Sequence, residues 1–465
     1  MDILSCPVCL DTFSDPHILP SCGHTFCKEC IDRLNVSYGC ARCPTCRQQF
    51  RPAEVRPNFA LRTMLTEHVA QGPQANLPSY SDRSLVRTTP GKAHQLLQKN
   101  LECAGLPPRL ADCMAREDER IGLRIFLLDN SGSTSHYDGK YFVVDHEREV
   151  MQSRMCSRWD EIKGMARSQA EWNLPLGVPC EFMLLNCGPP PLREGIDFVR
   201  IDPAKRQGSV ASLMQMLDAT GPHGTTPLAD RIADISRRVQ SEHAGLVQAG
   251  QHIMLTIATD GLPTAKHHTQ TTSHDRTQFV QQLKRLMLEF PVHVVIRLCT
   301  DDNDVVEYYN QVEEDVELPM DVLDDWVSEA KEIYWKGNGW FTYTQEMHRI
   351  REGGSFLKLL DILDERRLTP TEAALLAQLL LHRQSDGPLP RDKEEFCEAM
   401  EDLAERAEPV YAWNGYITDA VDVSRLRYAI FGWNPIREAA NALHSLFMGC
   451  AGHGAPTIQD ELDIM

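Results

Sequence analysis

Eight metal-ligating side chains crowded into residues 6–46 constrain this chain more than any other feature. Cys6, Cys9, Cys22, His24, Cys27, Cys30, Cys43 and Cys46 fall into four pairs, spaced CxxC, CxH, CxxC and CxxC. Each pair can supply two corners of a tetrahedron, and structural zinc takes four sulfur or nitrogen ligands. Eight ligands therefore make two closed sites, with no open position for a catalytic water. A segment this short cannot bury enough apolar surface to fold alone. Structural zinc, worth roughly 10–16 kcal/mol in finger peptides, would supply the missing stability. Spacing leaves the pairing open: the sites could interleave, follow one another as two knuckles, or be a reactive thiol cluster. Cys40, the spare thiol of the stretch, has no obvious base beside it and reads as a bystander rather than a nucleophile.

Composition narrows the setting. Half of the 16 cysteines lie in this stretch and the rest are scattered, which fits a reducing compartment better than a disulfide framework. The opening residues carry no basic, apolar signal pattern, and no apolar run reaches the roughly 18 residues of a membrane span. An intracellular location, cytoplasmic and/or nuclear, is the expectation. The formal net charge of −19 argues against nucleic acid or an anionic membrane as partner, since phosphates would be repelled. Residues 301–330 hold twelve carboxylates and no Lys or Arg, a pattern that reads first as a solvated acidic surface.

Further along, "IGLRIFLLD" (121–129), "EFMLLNC" (181–187), "QHIMLTIATD" (251–260) and "PVHVVIRLCT" (291–300) are buried-strand patterns. Helical stretches are expected between them, near 147–172, 208–219, 227–248 and 274–289. Such alternation predicts a parallel sheet covered on both faces. Beyond about residue 320 the pattern turns helical, with a strong start at Thr369, Pro370 and Glu372: a hydroxyl cap, Pro in the first turn and Glu three residues after the cap. The expected organisation is a zinc-bound segment at 1–50, a short helix in 51–70, a Pro-, Gly- and Ser-bearing linker at 71–92, a helical lead-in at 93–118, an α/β domain at 119–318 and a mainly α-helical region at 319–465.

In the identity and order of its ligands the array resembles the RING finger family, three Cys, one His, then four Cys. The resemblance implies a small cross-braced α+β domain in which Cys6, Cys9, Cys27 and Cys30 hold one zinc and Cys22, His24, Cys43 and Cys46 the other. It also implies recruitment of a ubiquitin-conjugating enzyme carrying ubiquitin. The contact surface would map to Val8, Leu34 and Pro44, apolar groups on a rigid frame. Arg47 follows the last ligand, where a guanidinium could bond both enzyme and ubiquitin and hold the thioester ready for attack.

A second cluster is built from oxygen. "FLLDNSGSTS" puts Asp129, Ser131 and Ser133 just past a strand; "GPHGTTPLADRI" offers Thr225 or Thr226 ahead of a helix; "IATDG" puts Asp260 at another strand end. In an open α/β sheet that edge is where ligands bind, and hard oxygen donors suit magnesium or manganese rather than zinc. The three motifs in order resemble the von Willebrand factor A (vWA) domain and its metal-ion-dependent adhesion site. The resemblance implies a doubly wound α/β fold. Ser131, Ser133 and Thr226 would be direct ligands, Asp129 and Asp260 direct or water-mediated ones, and one coordination position would stay open for a partner's acidic side chain. One departure stands out: "HYDGKYFVVD" after Ser133 reads as a turn and short strand before the long helix.

Two functional readings follow. In the first the chain is a RING-type ubiquitin-protein ligase that forms no covalent intermediate of its own and selects its protein substrate through the cation-dependent vWA site. The alternative is a non-enzymatic adaptor whose RING serves only docking or dimerisation. The joint presence of Val8, Leu34, Pro44 and Arg47 favours the first.

Overall fold

A computed structural model describes residues 16–19, 25–32, 41–43, 48–52, 55–57, 98, 106–118, 120–145, 148–188, 192–316 and 320–432. The chain divides into two units, Met1–Leu77 and Pro78–Met465.

In the first unit the described residues form short strands around one small helix. Strand β1 (Pro16–Ile18) lies antiparallel between β2 (Thr25–Cys27) and β5 (Arg56–Pro57). Helix α1 (Lys28–Asp32) follows β2 directly, and β3 (Ala41–Arg42) pairs with β4 (Gln49–Phe50). Leu19, Phe26, Ile31 and Phe50 are buried together with Cys27, Cys30 and Cys43. The thiols are thus part of the core, not appended to it. The helix expected in 51–70 and the linker at 71–92 lie almost wholly outside the described residues.

The second unit opens with α2 (Pro108–Asp118) and is organised by one six-stranded sheet. Its central strand is β6 (Ile121–Leu128), every residue of which is buried, as a strand covered on both faces must be. A ribbon follows, β7 (Gly139–Asp145) antiparallel to β8 (Val150–Cys156), then α3 (Arg158–Leu176) and β9 (Cys180–Leu184). The chain continues through β10 (Phe198–Ile201), α4 (Val210–Ala219), α5 (Leu228–Glu242), the short α6 (Ala244–Gln248), β11 (His252–Thr259) and α7 (Ser273–Glu289). Next come β12 (Val292–Leu298), α8 (Asn303–Val316) and β13 (Met320–Leu323). The sheet order is β10-β9-β6-β11-β12-β13, with only β10 antiparallel to its neighbour. From β6 the sheet grows one way through β9 and the other through β11, so its switch point lies between β6 and β11.

Alternate residues send β6 and β11 into two cores. Leu123, Ile125, Leu127, Leu255 and Ile257 meet Ile232 and Ile235 of α5 and Phe279 and Leu283 of α7. On the opposite face Phe126, Leu128 and Ala258 meet Trp159 and Ile162 of α3 and Leu213 and Met216 of α4.

The remaining elements are α9 (Trp326–Ile333), α10 (Gln345–Glu352), α11 (Lys358–Asp361), α12 (Pro370–Leu381), α13 (Lys393–Ala404), the small hairpin β14 (Val410–Tyr411) and β15 (Ile417–Thr418), and α14 (Val423–Phe431). Helix α12 starts at the capping box formed by Thr369 and Glu372. These helices share a core with Leu110 and Met114 of α2 and with Met254 of the sheet. They are also pinned to the sheet by buried polar bonds. Thr256 Oγ1 donates to Glu352 O at 2.6 Å, Arg124 Nε to Gly353 O at 3.1 Å and Arg297 Nε to Glu352 Oε1 at 3.0 Å. Gly354, at φ +79°, lies against Met254, whose Sδ would be 3.0 Å from an added Cβ. Part of one sheet face is therefore covered by the helices beyond residue 323.

Three local features differ from the sequence expectation. The helix expected near 147–172 begins at Arg158, because residues 150–156 form the second strand of the ribbon and Ser157 caps the helix by accepting from the Asp160 N–H. Strands β10 and β13, four residues each, are too short to show a period. The sheet also runs past the boundary at 318, since Met320–Leu323 is its edge strand.

Candidate functional site

Two places carry chemistry. In the first unit Cys27 ends β2, Cys30 lies in α1 and Cys43 follows β3. All three are buried, and the Cys43 N–H donates to Gln48 O at 2.9 Å, tying that thiol to the start of β4. Buried thiols on short, hydrogen-bonded elements suit metal ligation, because an ion bound there would complete the core that these elements cannot supply alone. Cys6, Cys9, Cys22, His24 and Cys46 lie outside the described residues, as do Val8, Leu34, Pro44 and Arg47.

In the second unit the site forms where β6 and β11 end side by side, at the switch point where open α/β sheets bind ligands. Asp129 leaves β6 and Asp260 leaves β11, and both are buried. The chain then turns through Gly132–Ser135, a single 3-10 turn. That turn brings Ser131 Oγ to 3.0 Å from Ser133 Oγ, and Ser133 Oγ donates to Asp260 Oδ1 at 2.9 Å; Ser131 Oγ is 3.5 Å from the same oxygen. Asp129 accepts from the Ser131 N–H at 2.8 Å and from Thr259 Oγ1 at 2.6 Å.

The loop before α5 closes the other side. Gly132 N–H donates to Gly224 O at 3.2 Å, His223 N–H to Asn130 O at 2.8 Å, and Asn186 Nδ2 to Thr225 O at 2.7 Å. Of the two threonines, Thr225 turns its hydroxyl away, to Lys266 O at 3.1 Å. Thr226 is buried. A Cβ built on Gly261 would lie 3.4 Å from Thr226 Oγ1 and 3.9 Å from Ser133 Oγ, so these two hydroxyls border the same small space. The structure thus gathers Asp129, Ser131, Ser133, Thr226 and Asp260 at one sheet edge.

The spacing of the oxygens tests whether they fit a cation. Magnesium–oxygen bonds of about 2.0–2.1 Å place neighbouring octahedral ligands roughly 2.9–3.0 Å apart. The 3.0 and 2.9 Å separations among Ser131, Ser133 and Asp260 are hydrogen-bond lengths that coincide with that edge, so these oxygens are spaced for an ion to take the place of the hydrogen bonds with little movement. Electrostatics point the same way. Burial, and then Asp260 beside it, push the Asp129 carboxyl up to about 7; burial raises Asp260 as well, against the pull of Arg158 and Ser133. Two carboxylates held out of water oppose each other's ionisation, and a divalent cation between them would relieve that cost.

Sequence reasoning did not find Arg158 or Asp138. Arg158 Nη1 donates to Asp260 Oδ2 at 3.0 Å, while its Nε and Nη2 reach Asp138 Oδ1 and Oδ2 at 2.7 and 2.6 Å. The Ser157-x-x-Asp160 cap could have marked the helix start that aims this arginine, but nothing local announces a partner 102 positions away. A small cavity beside the site is lined by Asp138, Lys140, Glu161, Asp301 and Asp325. Lys140 spans it, bonding Asp301 at 3.1 Å and Asp325 at 3.0 Å.

Residues 6–44 match the family model described as RING-type zinc-finger. The chain is 48% identical across 65 residues to the E3 ubiquitin-protein ligase TRIM4 of Homo sapiens, covering 14% of this chain and 13% of that protein. It is 44% identical across 61 residues to the E3 ubiquitin-protein ligase TRIM11 of Bos taurus, 13% of each. Tripartite motif-containing protein 72 of Oryctolagus cuniculus is 37% identical across 82 residues, 17% of each. The chain thus spans only about an eighth to a sixth of the length of these curated relatives. Among solved structures, the SpRpn10 VWA domain aligns at 10% identity and a TM-score of 0.28, covering 44% of this chain and 88% of that one. Among the described residues no helix is long and apolar enough to cross a membrane.

Proposed function

We propose, from the RING-type zinc finger at its N-terminus, that this chain is a RING-type ubiquitin-protein ligase whose second unit selects the substrate. One observation carries the reading: residues 6–44 match a RING-type zinc-finger model, and relatives matched over a short part of the chain are named E3 ubiquitin-protein ligases. Cys6, Cys9, Cys27 and Cys30 would hold one zinc and Cys22, His24, Cys43 and Cys46 the other. The zincs supply structure, not chemistry. Val8, Leu34 and Pro44 contact the conjugating enzyme, and Arg47 bonds the enzyme and its ubiquitin together. Catalysis is then orientation: a thioester held in one pose for attack by a substrate lysine needs no nucleophile on this chain.

In the second unit Ser131, Ser133 and Thr226, with Asp129 and Asp260, would hold one magnesium or manganese ion. When bound, such an ion supplies an acceptor for a partner's carboxylate. That would let a protein of net charge −19 dock an acidic side chain that its own surface would otherwise repel. The gathering of five oxygen-bearing side chains at the switch point, with edges of 2.9–3.0 Å, supports this part of the reading.

The test is thioester discharge by the zinc-loaded chain against a broad panel of ubiquitin-conjugating enzymes. Faster discharge is expected with at least one of them, and Arg47→Ala is expected to slow it about tenfold, the scale of one lost charge-assisted contact in the reacting pose. If no enzyme in the panel is stimulated and Arg47→Ala is silent, the ligase reading fails and the adaptor reading takes its place. For the second unit, Asp260→Asn is expected to weaken manganese binding more than tenfold, measured by titration of the free ion; an unchanged affinity would place the ion elsewhere.

A further inference from the structure

Arg158 puts a fixed positive charge at the edge of the oxygen cluster, and its surroundings show how it is held. The guanidinium meets Asp260 through one nitrogen at 3.0 Å and grips Asp138 through two, at 2.7 and 2.6 Å. Its side chain is 11% exposed, that of Asp260 0% and that of Asp138 49%. The arginine therefore bridges a buried carboxylate and a solvent-facing one. Asp138 lies in the turn that leads into the β7–β8 ribbon, the insertion that separates the serine motif from α3. Arg158 is also the first residue of α3, whose N-terminus adds partial positive charge of the same sign.

We infer that Arg158 is a built-in counter-ion that competes with a divalent cation for Asp260 and so sets the affinity of the site. The inference rests on the reading of the oxygen cluster as a cation site. Asp260 divides its two oxygens, Oδ1 toward the serines and Oδ2 toward Arg158. An ion at the serines would share Asp260 with a guanidinium that cannot lose its proton. Two cations on one buried carboxylate repel each other, and burial leaves that repulsion poorly screened. Arg158 also has somewhere to go. Its bidentate bond to Asp138 is the stronger geometry for a guanidinium, so releasing Asp260 would not strand a buried charge. Without a cation, Arg158 keeps Asp260 neutralised and the sheet edge intact. A cation binds only by loosening that pair. A monovalent ion gains too little from the two carboxylates to do so; a divalent ion gains about twice as much, because the attraction scales with its charge.

The experiment titrates manganese into the zinc-loaded full chain, reading free ion by electron paramagnetic resonance and the thermal midpoint in parallel. Arg158→Gln is expected to bind at least about tenfold tighter than wild type, the scale of one removed like charge in a half-buried site. Its midpoint should drop without manganese and recover with it. Arg158→Lys keeps the charge and should stay within about threefold of wild type. Asp138→Asn removes the place of retreat and should bind more weakly than wild type. Should Arg158→Gln fail to fold, the lysine and Asp138→Asn variants carry the test. If wild type binds manganese, Asp260→Asn does not, and the Arg158 and Asp138 variants all bind as wild type does, the counter-ion inference is overturned while the cation site stands. If wild type and every variant fail to bind, the site reading falls and the inference with it.

Discussion

Replacing Cys27 with Ser is expected to collapse the first unit and abolish ubiquitin discharge, at least a hundredfold below wild type, while the second unit still unfolds at its original temperature. The described apolar core of the first unit is a handful of side chains, Leu19, Phe26, Ile31 and Phe50 foremost. A core of that size does not hold a domain together unaided. Cys27 and Cys30 are buried within it, so a metal bound there would be a core element, contributing on the order of 10–16 kcal/mol by the standard of structural zinc in finger peptides. A serine oxygen in place of a thiolate makes a poor fourth ligand, and an incomplete tetrahedron would release its zinc. Elemental analysis of wild type should find two zinc ions per chain, and the variant should lose at least one of them together with its activity. A Cys27→Ser protein that keeps two zinc ions and discharges ubiquitin at the wild-type rate would refute the ligand assignment. Loss of the second unit's transition as well would show that the two units do not fold independently.

The second large effect is expected at Arg351, which belongs to neither candidate site. Its side chain is 0% exposed and bonds Glu329 at 2.8 Å, Asp364 at 3.0 Å and Asp321 at 3.2 Å. One guanidinium thus faces three carboxylates where the helical layer meets the edge strand β13. Arg351→Met leaves them unpaired, and breaking a buried pair from one side costs about 3–5 kcal/mol. The loss should depend on pH in a stated direction. Burial pushes Glu313 up to about 8, with Asp321 adding to it; burial and Asp321 push Asp361 to about 7; burial holds Asp321 itself near 6 despite Arg351.

Unfolded carboxyls titrate near 4. The folded protein therefore holds extra protons between about 4 and 8, and stability from this cluster falls as pH rises through that window. Without Arg351 the carboxylates repel more strongly and the fall steepens. Burial lowers His293 to about 4, which works in the opposite direction below pH 6.5, so the quantity to compare is variant minus wild type at each pH. Urea unfolding should give a deficit of about 3–5 kcal/mol at pH 8, shrinking toward pH 5.5 as the acids take up protons. A deficit below about 1 kcal/mol, or one larger at pH 5.5 than at pH 8, would contradict this account.

Parts of this protein are legible without coordinates. The RING-type array is one, because paired metal-ligating residue types a few positions apart form a pattern in the sequence itself, and residues 6–44 match the zinc-finger model. Asp129 and Asp260 could be placed at strand ends because β6 and β11 are long, largely apolar runs that stop at an acid. The capping box of Thr369 and Glu372 is likewise local: the same few residues that carry the pattern make its hydrogen bonds. Burial on one side of a helix writes a period into neighbouring residues, and burial on both sides of a strand writes a continuous apolar run.

What tertiary structure alone decided is every pairing between distant residues. A strand after the serine motif could be read from the sequence, but that residues 150–156 form its partner strand, and not the start of the helix, was decided by the pairing of β8 with β7. Which of Thr225 and Thr226 turns its hydroxyl toward Gly261 is likewise visible only in the fold: Thr226 does, while Thr225 bonds Lys266 O. The docking of Glu352 and Gly353 onto Thr256, Arg124 and Arg297, and the grip of Arg158 on Asp260, join residues roughly 55 to 229 positions apart. Such contacts leave no periodic trace, because each depends on two backbone segments arriving at the same place. A polar residue facing a buried partner looks, in one dimension, like a polar residue facing water; only the fold supplies the neighbour that distinguishes them.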